Sequence, residues 1–95
     1  MTLTTPFAKR FPLGRIVITL DAQAELHPYD VRLALYRHSL GDWGDLCGPN
    51  SAENESALKE GRRLFSVYRD RHQVQFYIMT QADRSLTEVM LPEDH

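Results

Sequence analysis

Two short runs in the second half of the chain, RRLFSVYR (62–69) and VQFYIMT (74–80), are dense in β-branched and aromatic residues. Only Asp70-Arg71-His72-Gln73 stands between them. Such residues fit a pleated, half-buried surface, and four polar residues leave room for little more than a turn. The pair predicts a β-hairpin. A lone hairpin is marginal in water, so this one requires further strands and a cover for its apolar side. LTEVML (86–91), closed by Pro92, reads as a third strand after the turn-like Gln81-Ala82-Asp83-Arg84, and GRIVITL (14–20) reads as another. On a period of two, Val74, Phe76 and Ile78 share one side with Phe65 and Val67. Leu64, Ser66 and Tyr68 then share the other with Gln75, Tyr77 and Met79.

The cover lies in the middle of the sequence. Asp21 is placed to cap a short helical turn through Leu26. Pro28 suits a first helical position, where its missing N–H would have no partner anyway. From there Tyr29, Leu33, Tyr36 and Leu40 recur at offsets of four, seven and eleven. They form one helical stripe, widened by Val31 and Leu35, and are expected to face the core. Gly41 stands where a left-handed residue would end that helix. A second helix is predicted from Asn50 or Ser51, with Glu53 and Glu55 favourable in its first turn. Its apolar residues are only Ala52, Ala57 and Leu58, which suits a surface position, and Gly61 stops it. The order β-α-α-β-β-β predicts an α+β domain: a small antiparallel sheet of about four strands with helices packed on one face.

With 95 residues the chain has room for one core. Residues 1–12, interrupted by Pro6 and Pro12, are expected to be a flexible arm, and 13–95 a single domain. A hydrophobic fraction of 42% argues against disorder. One cysteine excludes an internal disulfide framework, and no run is long and apolar enough for a membrane span or a leader. A cytoplasmic protein without membrane association is the expectation. The net charge of −2 is segmented: acidic across 21–60, basic across 61–84, acidic again at the end. A whole-protein basic field for nucleic acid is therefore absent, while a local arginine patch remains open.

The stretch GDWGDLCGPN (41–50) concentrates residues that serve either a site or a fastening. Phosphate-holding loops need bare N–H groups and a nearby cation, whereas Asp42 and Asp45 repel phosphate. His38, Asp42, Asp45 and Cys47 match no zinc or calcium spacing. The structural reading is that Gly41 and Gly44 allow unusual backbone angles while Trp43 folds back as an anchor. Cys47 would then behave as a small hydrophobe. No metal, cofactor or catalytic residue is assigned.

Three surfaces are candidates for function. Asp42, Asp45, Glu53, Glu55 and Glu60 could form an acidic face that docks on a basic groove of another protein. The second sheet face, with Tyr68, Tyr77 and Met79, could be an interaction or homodimer patch, unless an arm carrying Phe7 and Phe11 folds over it. Arg63, Arg69, Arg71 and His72 could contact nucleic acid, or cleave RNA with His72 as general acid/base.

FPLGRIVIT (11–19), GDWGDLC (41–47) and the later ADRS (82–85) and LPED (91–94) blocks complete a recognisable pattern. Over roughly residues 11–94 the chain resembles a family of short bacterial proteins met on plasmids, integrative elements and prophages. Its members are often labelled plasmid-related or type I restriction subunit M. A methyltransferase would need a glycine-rich cofactor loop and a catalytic motif, and this sequence holds neither. The resemblance implies a mobile-element setting. The expectation is a non-catalytic accessory protein that binds another protein, such as an anti-CRISPR or anti-restriction inhibitor. A nucleic-acid-binding or RNA-cleaving toxin-like protein is the alternative.

Overall fold

The computed structural model describes residues 9–95. It contains β1 (Arg15–Ile18), α1 (Leu20–Glu25), α2 (Pro28–Ser39), α3 (Pro49–Glu60), β2 (Leu64–Arg69), β3 (Gln75–Thr80) and β4 (Leu86–Met90). A short 3-10 turn, Pro92–Asp94, closes the chain. The strands form one four-stranded sheet in the order β1-β4-β3-β2. β2, β3 and β4 pair antiparallel, and β1 lies parallel to β4. The protein is thus α+β, with a mixed rather than wholly antiparallel sheet. β1 reaches β4 only after three helices and a hairpin, so no tight turn imposes antiparallel pairing on it.

Helix ends follow local chemistry. Thr19, not Asp21, caps α1, its side chain accepting the Ala22 N–H. α2 opens with Pro28 at its first position, and the His27 side chain accepts the Tyr29 N–H. At its other end the Gly41 N–H bonds to the His38 carbonyl and the Asp42 N–H to the Arg37 carbonyl, with Gly41 left-handed. That pair of bonds is a Schellman motif. α3 begins after Gly48 with Pro49 at its first position and no side-chain cap, so neither Asn50 nor Ser51 acts as one. Gly61, also left-handed, ends it.

The hairpin register differs from the simple alternation. Arg69 pairs with Gln75, so the connection runs from Asp70 to Val74. The buried Asp70 carboxylate sets this length by accepting the N–H groups of His27, His72 and Val74. Phe76 and Ile78 consequently share their face with Leu64, Ser66 and Tyr68, and Phe65 and Val67 lie opposite with Tyr77 and Met79. The first group faces the helices. There Tyr68, Phe76, Ile78 and Val89 pack against Ala22, Leu26, Val31, Ala34 and Leu35.

A second cluster joins Phe11, Trp43, Ala57 and Leu64. Phe11 is therefore core on the helical side rather than a cover for the open face, and Phe7 lies outside the described residues. Residues 9–12, expected in a flexible arm, are tied down instead: the Arg10 N–H bonds to the Ser39 carbonyl and its guanidinium grips Glu55. No helix among the described residues is long and apolar enough to cross a membrane.

Candidate interaction surface

α2 carries two apolar arcs on nearly opposite sides, and the sheet takes the less obvious one. Val31, Ala34, Leu35, His38 and Ser39 are buried, while Tyr29, Leu33 and Tyr36 are 61%, 46% and 44% exposed. The expected core stripe is therefore the solvent face. The buried arc includes the small residues Ala34 and Ser39, which let the helix axis approach the sheet, whereas two tyrosines would hold it away. Tyr29, Leu33 and Tyr36 sit at the spacing with which a helix presents side chains to a groove. Asp30, beside the stripe, is ion-paired with Arg71, and the Arg71 guanidinium lies 5.9 Å from the Tyr29 ring centroid. The hydrogen bonds from Arg71 hold the Asp30 carboxyl at about 2, well below the usual range.

The polar member of the buried arc is fully satisfied. His38 Nδ1 lies 2.5 Å from Ser66 Oγ and Nε2 lies 2.9 Å from Thr80 Oγ1. Thr80 Oγ1 is 2.8 Å from Thr87 Oγ1, which donates to the Leu13 carbonyl at 2.6 Å. Because Thr87 spends its proton on Leu13, Thr80 must donate to Thr87 and accept from His38. The imidazole therefore carries its proton on Nε2, and Nδ1 accepts from Ser66. Burial, with a smaller contribution from the Arg84 charge, lowers the His38 pKa from 6.5 to about 3. The serine–histidine pair is wholly enclosed, so no substrate reaches it, and it pins α2 to β2 and β3.

The GDWG loop seals the β2 edge. Trp43 is buried, stacks on Phe11 and donates its indole N–H to Glu55. The Val67 N–H reaches the Trp43 carbonyl, and the Asp45 N–H reaches the Val67 carbonyl. One residue pair along, the Asn54 side chain takes both the N–H and the C=O of Phe65. Gly44 is left-handed, and a Cβ there would stand 2.0 Å from the Val67 oxygen. Cys47 is exposed rather than packed as a small hydrophobe.

The acidic face is ion-paired from within. Asp42 pairs with Arg37, Asp45 with Arg69, Glu55 with Arg10, and both Glu53 and Glu60 with Arg62. Those arginines hold the carboxyls of Asp42 and Glu55 below their ordinary range, and Ser56 and Arg62 do so for Glu60. Ion pairs also occupy the arginine hairpin: Arg69 is bound to Asp45 of that face and Arg71 to Asp30. Arg63 is exposed, and His72 stands at the turn with its N–H on Asp70. The carboxylate beside it, Asp70, is committed to the backbone N–H groups of His72, His27 and Val74, which ties it to the turn.

Tyr68 does not belong to the open sheet face. It is buried among the helices, and its hydroxyl donates to the Asp42 carbonyl at 2.5 Å. Tyr77 and Met79 do lie on the open face, half-buried beside Phe65 and Val67. The His95 ring covers part of it, 5.7 Å from the Phe65 ring and 5.8 Å from that of Tyr77. Among the described residues, the exposed apolar surface at helical spacing is thus the α2 stripe. Its residues were visible in the sequence, and their orientation was not. Set against protein-family models, curated proteins and solved structures, the chain matches none.

Proposed function

We propose that this chain acts by binding another protein and performs no chemistry of its own. The observation that carries the reading is the solvent-facing stripe Tyr29, Leu33 and Tyr36 on a helix already anchored through its opposite side. Tyrosine is enriched at binding hot spots, and i, i+4, i+7 anchors fit an apolar groove. Arg32 borders the stripe and has no carboxylate partner among the described residues, which favours an acidic rim on that groove. The likeness of the GDWG, ADRS and LPED blocks to mobile-element proteins supports a host or defence-system protein as target, with inhibition as the outcome. The nucleic-acid alternative loses support because Arg69 and Arg71 are committed to ion pairs.

The test is affinity capture from host lysate, with nuclease, comparing the native chain with Leu33→Asp/Tyr36→Ala. Both positions are exposed, so the melting temperature should hold within a few degrees. Capture of a defined protein by the native chain and its loss in the variant is the expected result. Equal capture by both, or capture abolished by nuclease, overturns the reading.

A further inference from the structure

Among the described residues, only one of the sheet's two edges is sealed. At β2 the outward backbone groups of Phe65 and Val67 are taken by Asn54 and by the 43–45 loop. β1 forms the other edge. Arg15 and Thr19 turn their N–H groups to Ser85 and Val89 of the β4 side, so the alternating residues Ile16 and Ile18 turn theirs outward. Among the described residues nothing pairs with them. Their side chains are 46% and 37% exposed, and Ile18 borders an apolar cavity of about 220 Å3 beneath α1 and α2. A bare edge with isoleucines and no lysine, proline or bulge is a template for another strand.

We infer that this strand comes from a second copy of the chain: two β1 strands join antiparallel about a two-fold axis through Val17, making one continuous eight-stranded sheet. The edge is self-complementary in that arrangement and in no parallel one. Ile16 stands opposite the second copy's Ile18 and Ile18 opposite its Ile16, and each pair exchanges two backbone hydrogen bonds. Both isoleucines lie on the helix-covered side, since Ile16 pairs with Thr87 and Ile18 with Val89, both buried. The cross-strand isoleucine pairs therefore extend the two cores into each other.

Charge complements charge along the same strand. β1 starts at Arg15, which has no ion-pair partner among the described residues, and ends in an acidic corner. There Thr19 donates to Asp94 at 2.7 Å, and the adjacent Asp94 carboxylate holds Asp21 above its ordinary range through a shared hydrogen bond. Arg15 and Thr19 share the open side of the sheet. Antiparallel pairing sets Arg15 of each copy opposite Thr19 of the other, within reach of its Asp94. Parallel pairing would set acid beside acid.

Sedimentation equilibrium of the full chain from about 1 to about 200 µM should show a monomer–dimer equilibrium. Ile16→Lys should weaken it at least about tenfold with the fold retained, since the position is already exposed. Arg15→Asp alone and Asp94→Arg alone should each self-associate poorly, while an equal mixture forms a heterodimer because one inter-copy ion pair is restored with reversed sign and the other in its native sense. For register, Val17→Cys in a Cys47→Ser background should oxidise to a disulfide-linked dimer, because Val17 faces its own copy across the axis at a bridgeable distance. Ile16→Cys should not, because it is offset from its own copy. A monomer at every concentration overturns the proposal and leaves the edge to a strand of another protein. A dimer indifferent to Ile16→Lys, with no cross-link at Val17, also overturns it by placing the contact elsewhere.

Discussion

Acidification should unfold this protein through one buried side chain. His38 is fully enclosed, and burial holds its pKa at about 3 against an ordinary 6.5. Between those values the unfolded chain takes up a proton that the folded chain refuses. The contribution of the neutral imidazole is complete above pH 6.5 and is lost as pH falls toward 3. Each pH unit well below 6.5 is worth about 1.4 kcal/mol, so the whole window amounts to about 5 kcal/mol, and the step from 6.5 to 4.5 to about 2.3 kcal/mol. A domain of this size has a total stability of roughly 5–14 kcal/mol, so the effect is large. Urea denaturation at pH 7.5, 6.5, 5.5 and 4.5 should be run on the native chain and on His38→Gln. The amide can still accept from Ser66 and donate to Thr80, and it does not titrate. Paired carboxylates such as Asp30 contribute fully above their ordinary pKa of 3.8 and fade as pH falls from there toward about 2, below the range tested, and they are common to both proteins. The native chain should lose about 2.3 kcal/mol more than the variant between pH 6.5 and 4.5. Parallel stability curves would refute the buried-neutral-imidazole account and the hydroxyl chain built on it.

Gly44→Ala should cost about 3 kcal/mol, or roughly 15 °C in Tm, because its Cβ would enter the Val67 oxygen in a left-handed backbone. Gly61→Ala, left-handed but with open space around it, should cost only about 1 kcal/mol; equal losses at the two sites would refute the edge-seal account. Asp70→Ala removes the acceptor for three backbone N–H groups and should cost about 2–4 kcal/mol by chemical denaturation, whereas a loss under about 0.5 kcal/mol would show that the loop finds other partners.

Local chemistry made much of the fold legible. Pro28 and Gly41 bracket α2 because one lacks an N–H and the other accepts a left-handed angle, and Gly61 closes α3 for the same reason. Alternating β-branched and aromatic runs marked the strands, and an α+β arrangement followed from their order. These features depend on residues within one turn of each other.

The site depended on partners far along the chain. α2 offered two apolar arcs, and the sheet selected the one with Ala34 and His38 because Ser66 and Thr80, 28 and 42 residues away, satisfy the imidazole. That choice turned Tyr29, Leu33 and Tyr36 outward. The acidic stretch and the arginine hairpin each looked like a charged surface when read alone, and folding set them against each other as ion pairs. The hairpin register turned on a single carboxylate, Asp70, gathering three N–H groups, and it moved Tyr68 from the open face into the core. The sequence by itself determined where elements begin and end, since caps and turns are local energies. Which face each element buries, and which charges remain for a partner, was decided only by tertiary structure, because complementary groups must first be brought together in space.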